Sequence, residues 1–177
     1  DHMLEGARDD NERLYYLGYA LEQMRGTFYR QVMFSEFELA IHEAVERGDA
    51  LTGSRMTQIY GEILKRYHGH DAGVMTITDR EMIEWAYIPH FYYNFYVYQY
   101  ATSIAGAAYF VDRLQSGSDT ARETYIKFLE AGGSAYPLDI LRSAGLDMTN
   151  RVPYDAVIDR MDAVMDEIEL ILDARGS

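Results

Sequence analysis

Residues 12–47 read ERLYYLGYALEQMRGTFYRQVMFSEFELAIHEAVER, with an apolar side chain at every third or fourth position. This spacing is typical of an amphipathic α-helix, which turns once in about 3.6 residues. The apolar positions are Leu14, Leu17, Leu21, Met24, Phe28, Val32 and, after a shift in phase, Phe34, Phe37 and Ile41. An Asp9-x-x-Glu12 capping box precedes them and Gly48 follows. We therefore predict one helix, or two nearly continuous helices, over about residues 10–47.

Shorter periodic segments fill most of the remaining chain. Glycine-containing turns and capping residues separate them, and Pro89 suits the first turn of a long helix. The predicted helices span about residues 53–67, 78–87, 89–115, 119–131, 137–144 and 153–173. We find no internal repeat and no strand-like alternation. The pattern predicts an all-α multi-helix bundle, with residues 1–177 forming a single domain without an internal boundary.

The composition excludes several classes of function. The chain has 177 residues, of which 48% are hydrophobic, and a formal net charge of −13. No basic cluster stands out, so neither nucleic acid nor an anionic membrane is an expected partner. The absence of cysteine excludes disulfides, thiolate metal sites and cysteine nucleophiles. No apolar run reaches the ~18–20 residues of a membrane helix and no signal peptide is recognisable, so we expect a cytoplasmic protein.

Residues 85–100, WAYIPHFYYNFYVYQY, form the most aromatic segment of the chain, with nine aromatic side chains in 16 residues. Buried phenols need hydrogen-bond partners. A tyrosine-rich helix around a single histidine therefore favours a wall that presents hydrogen-bond donors to a ligand. A buried helix that uses tyrosine only to fill space explains the composition equally well.

A helical wheel separates this segment into two faces. The first face carries His90, Tyr93 and Tyr100, with Tyr96 at its margin. The second face, which suits the core, carries Phe91, Phe95 and Tyr98. This separation predicts an apolar side that anchors the helix, and a side on which an imidazole and several phenols face a cleft.

No complete metal site or nucleophilic triad is recognisable in the sequence. Residues 42–46, HEAVE, approach the His-Glu-x-x-His motif of zinc peptidases, but Glu46 stands in place of the second histidine. His68 and His70 could chelate a metal weakly, although a helix end that carries two histidines is the better interpretation. No serine lies in the Gly-x-Ser-x-Gly context of a nucleophile elbow. We therefore predict no metal ligand in this chain.

Three blocks of the sequence resemble oligoendopeptidase F, a branch of the thimet-oligopeptidase-like zinc metallopeptidases. The blocks are residues 25–38, RGTFYRQVMFSEFE; residues 90–102, HFYYNFYVYQYAT; and residues 132–137, GGSAYP, with the helix that follows. They occur in the family's order and span most of the chain. The family's His-Glu-x-x-His motif and its third zinc ligand, a glutamate, precede these blocks and are absent here. The resemblance therefore implies the C-terminal part of such an enzyme.

The resemblance also implies roles for individual residues. A histidine and two tyrosines of the second block bind substrate and stabilise the transition state, and they correspond to His90, Tyr93 and Tyr100. Tyr92 is the alternative to Tyr93. The residues expected to contact the peptide substrate are Tyr92, Tyr96, Gly132, Gly133 and Tyr136. Zinc is implied as the cofactor of the complete enzyme, and none is expected on this chain alone.

We therefore expect the chain to form one wall of the channel of a cytoplasmic zinc metallo-oligopeptidase. Its expected partners are short peptide substrates and the missing N-terminal part of the same protein. Alone, it should be inactive and should leave an apolar strip of the 12–47 helix exposed. The alternative is a self-sufficient helical module that binds a peptide or an apolar ligand without catalysis. A third interpretation is a metal-binding bundle that uses His68 and His70.

Overall fold

The N-terminal pattern forms two α-helices that are joined by a π-helical turn. The computed structural model describes residues 2–176. Helix α1 spans His2–Glu5, α2 spans Asp10–Met24, the π turn spans Arg25–Tyr29 and α3 spans Arg30–Glu46. The Asp9 carboxylate caps α2 by accepting the N–H of Glu12 at 2.9 Å. The prediction of nearly continuous helices over about residues 10–47 is confirmed.

The π turn lies where the apolar pattern shifts in phase and accounts for part of that shift. A π turn holds one residue more than an α turn, and one residue corresponds to about 100° of rotation. The buried apolar residues are Leu17, Met24 and Phe28 before or within the turn, and Met33, Phe37 and Ala44 after it. A wheel drawn for one uninterrupted α-helix does not place these two sets on a single stripe.

Five further α-helices follow. They are α4 (Gly53–Tyr67), α5 (Tyr98–Gln115), α6 (Asp119–Ala131), α7 (Pro137–Ser143) and α8 (Val152–Gly176), with two 3-10 helices at Glu81–Tyr87 and Pro89–Tyr92. Residues 2–176 contain no strand, so the all-α prediction is confirmed. Thr52 and Ser118 cap α4 and α6 through their side-chain oxygens. Within residues 2–176, every helix is too short or too polar to cross a lipid bilayer.

The prediction of a single helix over residues 89–115 is wrong for its first part. Pro89 opens a 3-10 turn that ends at Tyr92, and α5 begins only at Tyr98. Between the two helices, Asn94 and Phe95 adopt φ angles of 52° and 60°. These values lie in the left-handed region, which a right-handed helix cannot contain. We refer to residues 93–97 as the helix break.

The chain divides into two compact units. One unit is Tyr29–Ala101, and the other comprises the residues up to Phe28 together with those from Thr102 onward. The core of the first unit contains Met33, Phe34, Phe37, Ile59, Tyr60, Ile63, Leu64, Ile77 and Val97. In the second unit, α2 packs against α8. A separate cluster there contains Tyr109, Phe110, Ala144 and Leu146. The single-domain organisation stays a prediction.

Phe37 lies in the core of the Tyr29–Ala101 unit. Its side chain is completely buried, and its ring meets those of Tyr60 and Phe91 edge-on at centroid distances of 5.2 Å and 5.1 Å. Since such contacts surround the ring, truncation would leave a cavity that its neighbours only partly fill.

We expect Phe37→Ala to lower the free energy of unfolding by about 3–5 kcal/mol, because it removes a buried ring and leaves that cavity. Leu39→Ala is the matched control, since Leu39 lies on the same helix but is 50% exposed. It should change the free energy of unfolding by less than about 1 kcal/mol. Urea unfolding followed by circular dichroism measures both variants. Equal losses in the two variants would contradict the assignment of Phe37 to the core.

Candidate functional site

A cluster of phenols surrounds His90 in the Tyr29–Ala101 unit. The hydroxyl oxygen of Tyr100 lies 3.1 Å from Nε2 of His90. The imidazole stacks on Tyr96 at a centroid distance of 5.6 Å and meets Tyr93 edge-on at 5.9 Å. Tyr96 contacts Tyr93 and Tyr100, each at 5.8 Å. We call these four residues the His90 cluster.

The His90 cluster depends on the helix break. In an unbroken α-helix, His90 and Tyr100 would lie about 15 Å apart along the axis, because each residue rises about 1.5 Å. The 3-10 turn Pro89–Tyr92 and the left-handed residues at 94 and 95 change the direction of the chain, so that the two side chains meet. The helical wheel therefore grouped residues that do meet, but they meet across a turn and do not share one helix face.

The residues that the wheel assigned to the core differ in their surroundings. Phe91 packs edge-on against Phe34 and Phe37 at centroid distances of 5.3 Å and 5.1 Å, as predicted. Tyr98 is 49% exposed, so its assignment to the core is wrong. Phe95 is 37% exposed and lies within the helix break. The break thus separates side chains that a continuous helix would have placed on one face.

Two side chains of α3 contact the helix break at Phe95. Glu38 is only 1% exposed, and its Oε1 accepts the N–H of Phe95 at 2.7 Å. His42 lies one helical turn later, and its ring packs on the Phe95 ring at a centroid distance of 4.2 Å. Sequence reasoning assigned no role to Glu38. The signal was that Glu38 stands one turn after Phe34 on the buried face, where an unpaired charge is rare.

A polar network attaches α3 to the 3-10 helix that precedes the site. Arg30 forms an ion pair with Glu84, and the hydroxyl of Tyr60 donates to the same carboxylate. Burial and this hydrogen bond raise the pKa of Tyr60. Trp85 donates its indole N–H to the hydroxyl of Thr57 at 3.1 Å. These contacts fix the segment Glu81–Tyr87, which leads directly into Pro89 and His90.

The surroundings of Tyr100 keep its phenol protonated. Burial raises the pKa of Tyr100, and interactions with the neighbouring Tyr96 raise it further. The ordinary pKa of a tyrosine is about 10, so Tyr100 keeps its donor hydrogen at neutral pH. The His90 cluster therefore combines a neutral phenol donor with an imidazole. Its other two members, Tyr93 and Tyr96, are 59% and 39% exposed.

The remaining predicted site residues lie apart from these ring contacts. Tyr92 is 77% exposed, and within residues 2–176 its ring contacts none of the four rings of the His90 cluster. The other three belong to the second unit. They are Gly132 and Gly133 at the end of α6, and Tyr136, which is 82% exposed before α7. The roles of these residues stay predictions.

Within residues 2–176, no group of three or more His, Cys, Asp or Glu side chains could hold a metal ion. Nδ1 of His68 lies 3.0 Å from the carbonyl oxygen of Leu64, and Nδ1 of His70 accepts the N–H of Ile77 at 3.0 Å. Because Nδ1 of His70 accepts a hydrogen bond, the neutral His70 ring carries its proton on Nε2 and offers a metal no free nitrogen lone pair, so a metal site shared by His68 and His70 is disfavoured.

Comparison with known proteins defines the class to which this fold and site belong. The family model described as Peptidase family M3 matches residues 2–160. The chain therefore belongs to peptidase family M3. This confirms the resemblance that was drawn from the three sequence blocks.

Individual relatives are peptidases of that family. Over 173 residues the chain is 40% identical to oligopeptidase PepF of Bacillus subtilis (strain 168), covering 97% of this chain and 25% of that protein. It is 40% identical over 176 residues to group B oligopeptidase PepB of Streptococcus agalactiae serotype III (strain NEM316), covering 98% and 28%. The chain thus spans about a quarter of the length of the curated relatives that it matches.

A solved structure shares the fold. The crystal structure of oligoendopeptidase-F from Enterococcus faecium matches with a TM-score of 0.88 and 31% sequence identity. The match covers 98% of this chain and 33% of that chain. The all-α arrangement described above is therefore that of part of an oligoendopeptidase.

The raised pKa of Tyr100 can be measured by NMR of the ring carbon that bears the phenol oxygen. We expect Tyr100 to titrate above about pH 10, and Tyr96→Phe to lower its pKa, because Tyr96 contributes to the shift. Since the folded state favours the neutral phenol, its contribution to stability is present below about pH 10 and is lost as the pH rises through the folded pKa. Tyr15→Phe in the other unit should leave the Tyr100 titration unchanged. A Tyr100 pKa at or below the ordinary value would contradict this description of the site.

The glycine pair after α6 offers a matched test of backbone conformation. Gly132 has φ 49° and ψ −123°, a conformation that residues with a Cβ rarely adopt. We expect Gly132→Ala to lower the free energy of unfolding by about 1–2 kcal/mol. Gly133→Ala should change it by less than about 0.5 kcal/mol, since its φ is not positive and an added Cβ would meet no atom within 4 Å. Thermal unfolding of both variants measures the difference, and a more stable Gly132→Ala variant would rule out the strained turn.

Proposed function

We propose that this chain is part of a cytoplasmic zinc metallo-oligopeptidase that hydrolyses short peptides, and that it supplies residues that bind the substrate and stabilise the transition state. The proposed catalytic residues are His90, Tyr93 and Tyr100. The observation that carries the proposal is the 3.1 Å contact between Nε2 of His90 and the Tyr100 hydroxyl. Membership of peptidase family M3 supports the reaction class, and the names of the relatives, oligopeptidase and oligoendopeptidase, support short peptides as substrates.

The chemistry of peptide hydrolysis explains why such donors would be useful. When water attacks a peptide carbonyl, negative charge develops on the carbonyl oxygen. With the imidazole proton on Nε2, His90 donates to the Tyr100 oxygen, so the Tyr100 O–H is not committed to His90 and can turn from Tyr96 to the substrate. The pKa of Tyr100 is raised, so the phenol holds its proton while that charge forms. One such donor is typically worth about 10²–10³ in rate.

Further residues are proposed to contact the peptide. The ring of Tyr93 meets that of His90, and this contact favours Tyr93 over Tyr92 as the second catalytic tyrosine. Tyr96, a member of the cluster, is 39% exposed and Tyr92 is 77% exposed, and both are proposed to bind the substrate. The assignments of Gly132, Gly133 and Tyr136 to substrate binding rest on the family resemblance alone.

Zinc and a partner segment complete the proposal. No ligand set within residues 2–176 fits zinc, so the ion would be held by the His-Glu-x-x-His segment of the complete protein. Large apolar side chains are exposed on α2 and α3, which supports a covering partner. They are Tyr15 (69%), Tyr19 (61%), Leu39 (50%) and Val45 (57%).

We expect Tyr100→Phe and His90→Gln to lower kcat/KM for a quenched fluorescent oligopeptide by about 10²–10³ in the complete peptidase. Tyr100→Phe removes the hydroxyl donor and keeps the ring, and His90→Gln replaces the imidazole with an amide that lacks the ring stacked on Tyr96 and does not hold its donor in the same place. Tyr19→Phe is the matched control, because it removes an exposed phenol from α2 in the other unit. Full activity in Tyr100→Phe would exclude the proposed role of that hydroxyl.

The isolated 177-residue chain provides the second part of the test. It should hydrolyse none of the same peptide in the presence of zinc, and metal analysis should find zinc well below one equivalent. Zinc-dependent hydrolysis by the isolated chain would contradict the division of the site between this chain and a further segment. Tight peptide binding without hydrolysis, in a protein with no upstream zinc motif, would favour a helical binding module.

A further inference from the structure

We propose that Glu38 is a positioning residue for the His90 cluster: its buried carboxylate holds the helix break through the N–H of Phe95 and thereby sets the arrangement of His90, Tyr93 and Tyr96. The inference rests on the proposed function only in calling this cluster a catalytic site. The positioning itself concerns the folded chain and can be measured without catalysis.

The first observation is the burial of a carboxylate in an apolar core. Glu38 is 1% exposed and follows the completely buried Phe37 on α3. A buried carboxylate is costly unless hydrogen bonds compensate for its lost hydration. Its Oε1 accepts the N–H of Phe95 at 2.7 Å, a distance typical of a hydrogen bond strengthened by charge. An apolar residue at position 38 could not accept the N–H of Phe95, whereas the buried carboxylate does.

The second observation is the conformation that this bond holds. Asn94 and Phe95 have φ angles of 52° and 60°, and a large side chain such as phenylalanine is seldom found in the left-handed region. Such conformations persist only where the surroundings enforce them, and they are concentrated at functional sites. Here α3 contacts Phe95 twice, through Glu38 at the backbone and through the His42 ring at 4.2 Å from the Phe95 ring.

The third observation is where the constrained residues lie. Tyr93 and Tyr96 flank Asn94 and Phe95 directly, so the dihedral angles of this pair decide where the two rings point. Both rings contact His90, at 5.9 Å and 5.6 Å. If the pair relaxed to right-handed helix, Tyr93 and Tyr96 would turn with the backbone, and His90 would lose its stacking partner. Glu38 thus acts on the imidazole through two neighbouring side chains, without touching it.

The test uses variants that separate the reach of the carboxylate from its charge. Glu38→Gln keeps an acceptor oxygen at the same reach but removes the charge. Glu38→Asp keeps the charge but withdraws the acceptor by one methylene group. Glu38→Ala removes both. Glu46→Ala is the matched control, because Glu46 is an exposed glutamate at the end of the same helix.

Two NMR measurements on the 177-residue chain decide the matter. Amide hydrogen exchange at Phe95 should accelerate about tenfold or more in Glu38→Ala and Glu38→Asp, as expected for the loss of a hydrogen bond to a charged group. The ring protons of His90 should lose the ring-current shift caused by the stacked Tyr96 in the same two variants. Glu38→Gln should retain most of that shift, and Glu46→Ala should retain all of it.

Two results would overturn the proposal. One is an unchanged His90 spectrum in Glu38→Asp or Glu38→Ala despite faster exchange at Phe95. Glu38 would then stabilise only the backbone at Phe95 and would not position His90. The other is a loss of the His90 shift in Glu38→Gln together with its retention in Glu38→Asp, which would show that the charge, and not the position of the acceptor, matters. If Glu38→Ala does not fold, the pair Glu38→Gln and Glu38→Asp still decides. Because neither measurement involves hydrolysis, these outcomes are independent of the peptidase assays.

Discussion

The hydrogen bond from the Phe95 N–H to the buried Glu38 carboxylate links the core of the Tyr29–Ala101 unit to its candidate site. An α-helix that continued from Pro89 would carry His90 and Tyr100 to points about three turns apart. The left-handed pair at 94 and 95 prevents that continuation, and a conformation of this kind needs support from outside its own segment. Helix α3 provides the support, so the geometry of the aromatic residues depends on a helix some fifty residues earlier in the chain.

The family-like blocks have a structural meaning within this unit. The first block supplies Arg30, which pairs with Glu84 and lies 4.7 Å from the centroid of the Phe34 ring, and its last residue is Glu38. The second block supplies the His90 cluster. Residues of the first block that lie on α3 therefore contact both the segment before the cluster and the helix break within it. Arg30 pairs with Glu84, and Glu38 accepts the N–H of Phe95. Two blocks that are far apart in sequence, each of which resembles a peptidase, thus contact each other in the structure.

The helices were predictable where apolar spacing and capping residues agreed, as at α4, which begins after Thr52 and ends at Tyr67. The helix break was not predictable in the same way. Residues 93–97 contain neither glycine nor proline, and only Asn94 tolerates a positive φ with little penalty. The conformation comes from contacts with Glu38 and His42, which are distant in sequence. Periodicity reports which residues share a face, but it contains no information on a bond to another helix.

The π turn at Arg25–Tyr29 also bears on how this part of the chain can vary in length. Because it already accommodates one residue beyond the α-helical number, deletion of a single residue there would restore regular α-helical hydrogen bonding and leave the rotational register within α3 unchanged. The same deletion inside α3 would rotate every later side chain of that helix by about 100°. Glu38 would then occupy the buried position that Phe37 now holds, and its carboxylate would no longer face the N–H of Phe95. The π turn is therefore a position at which the chain can change in length without altering the rotational register of Phe37 and Glu38 on α3.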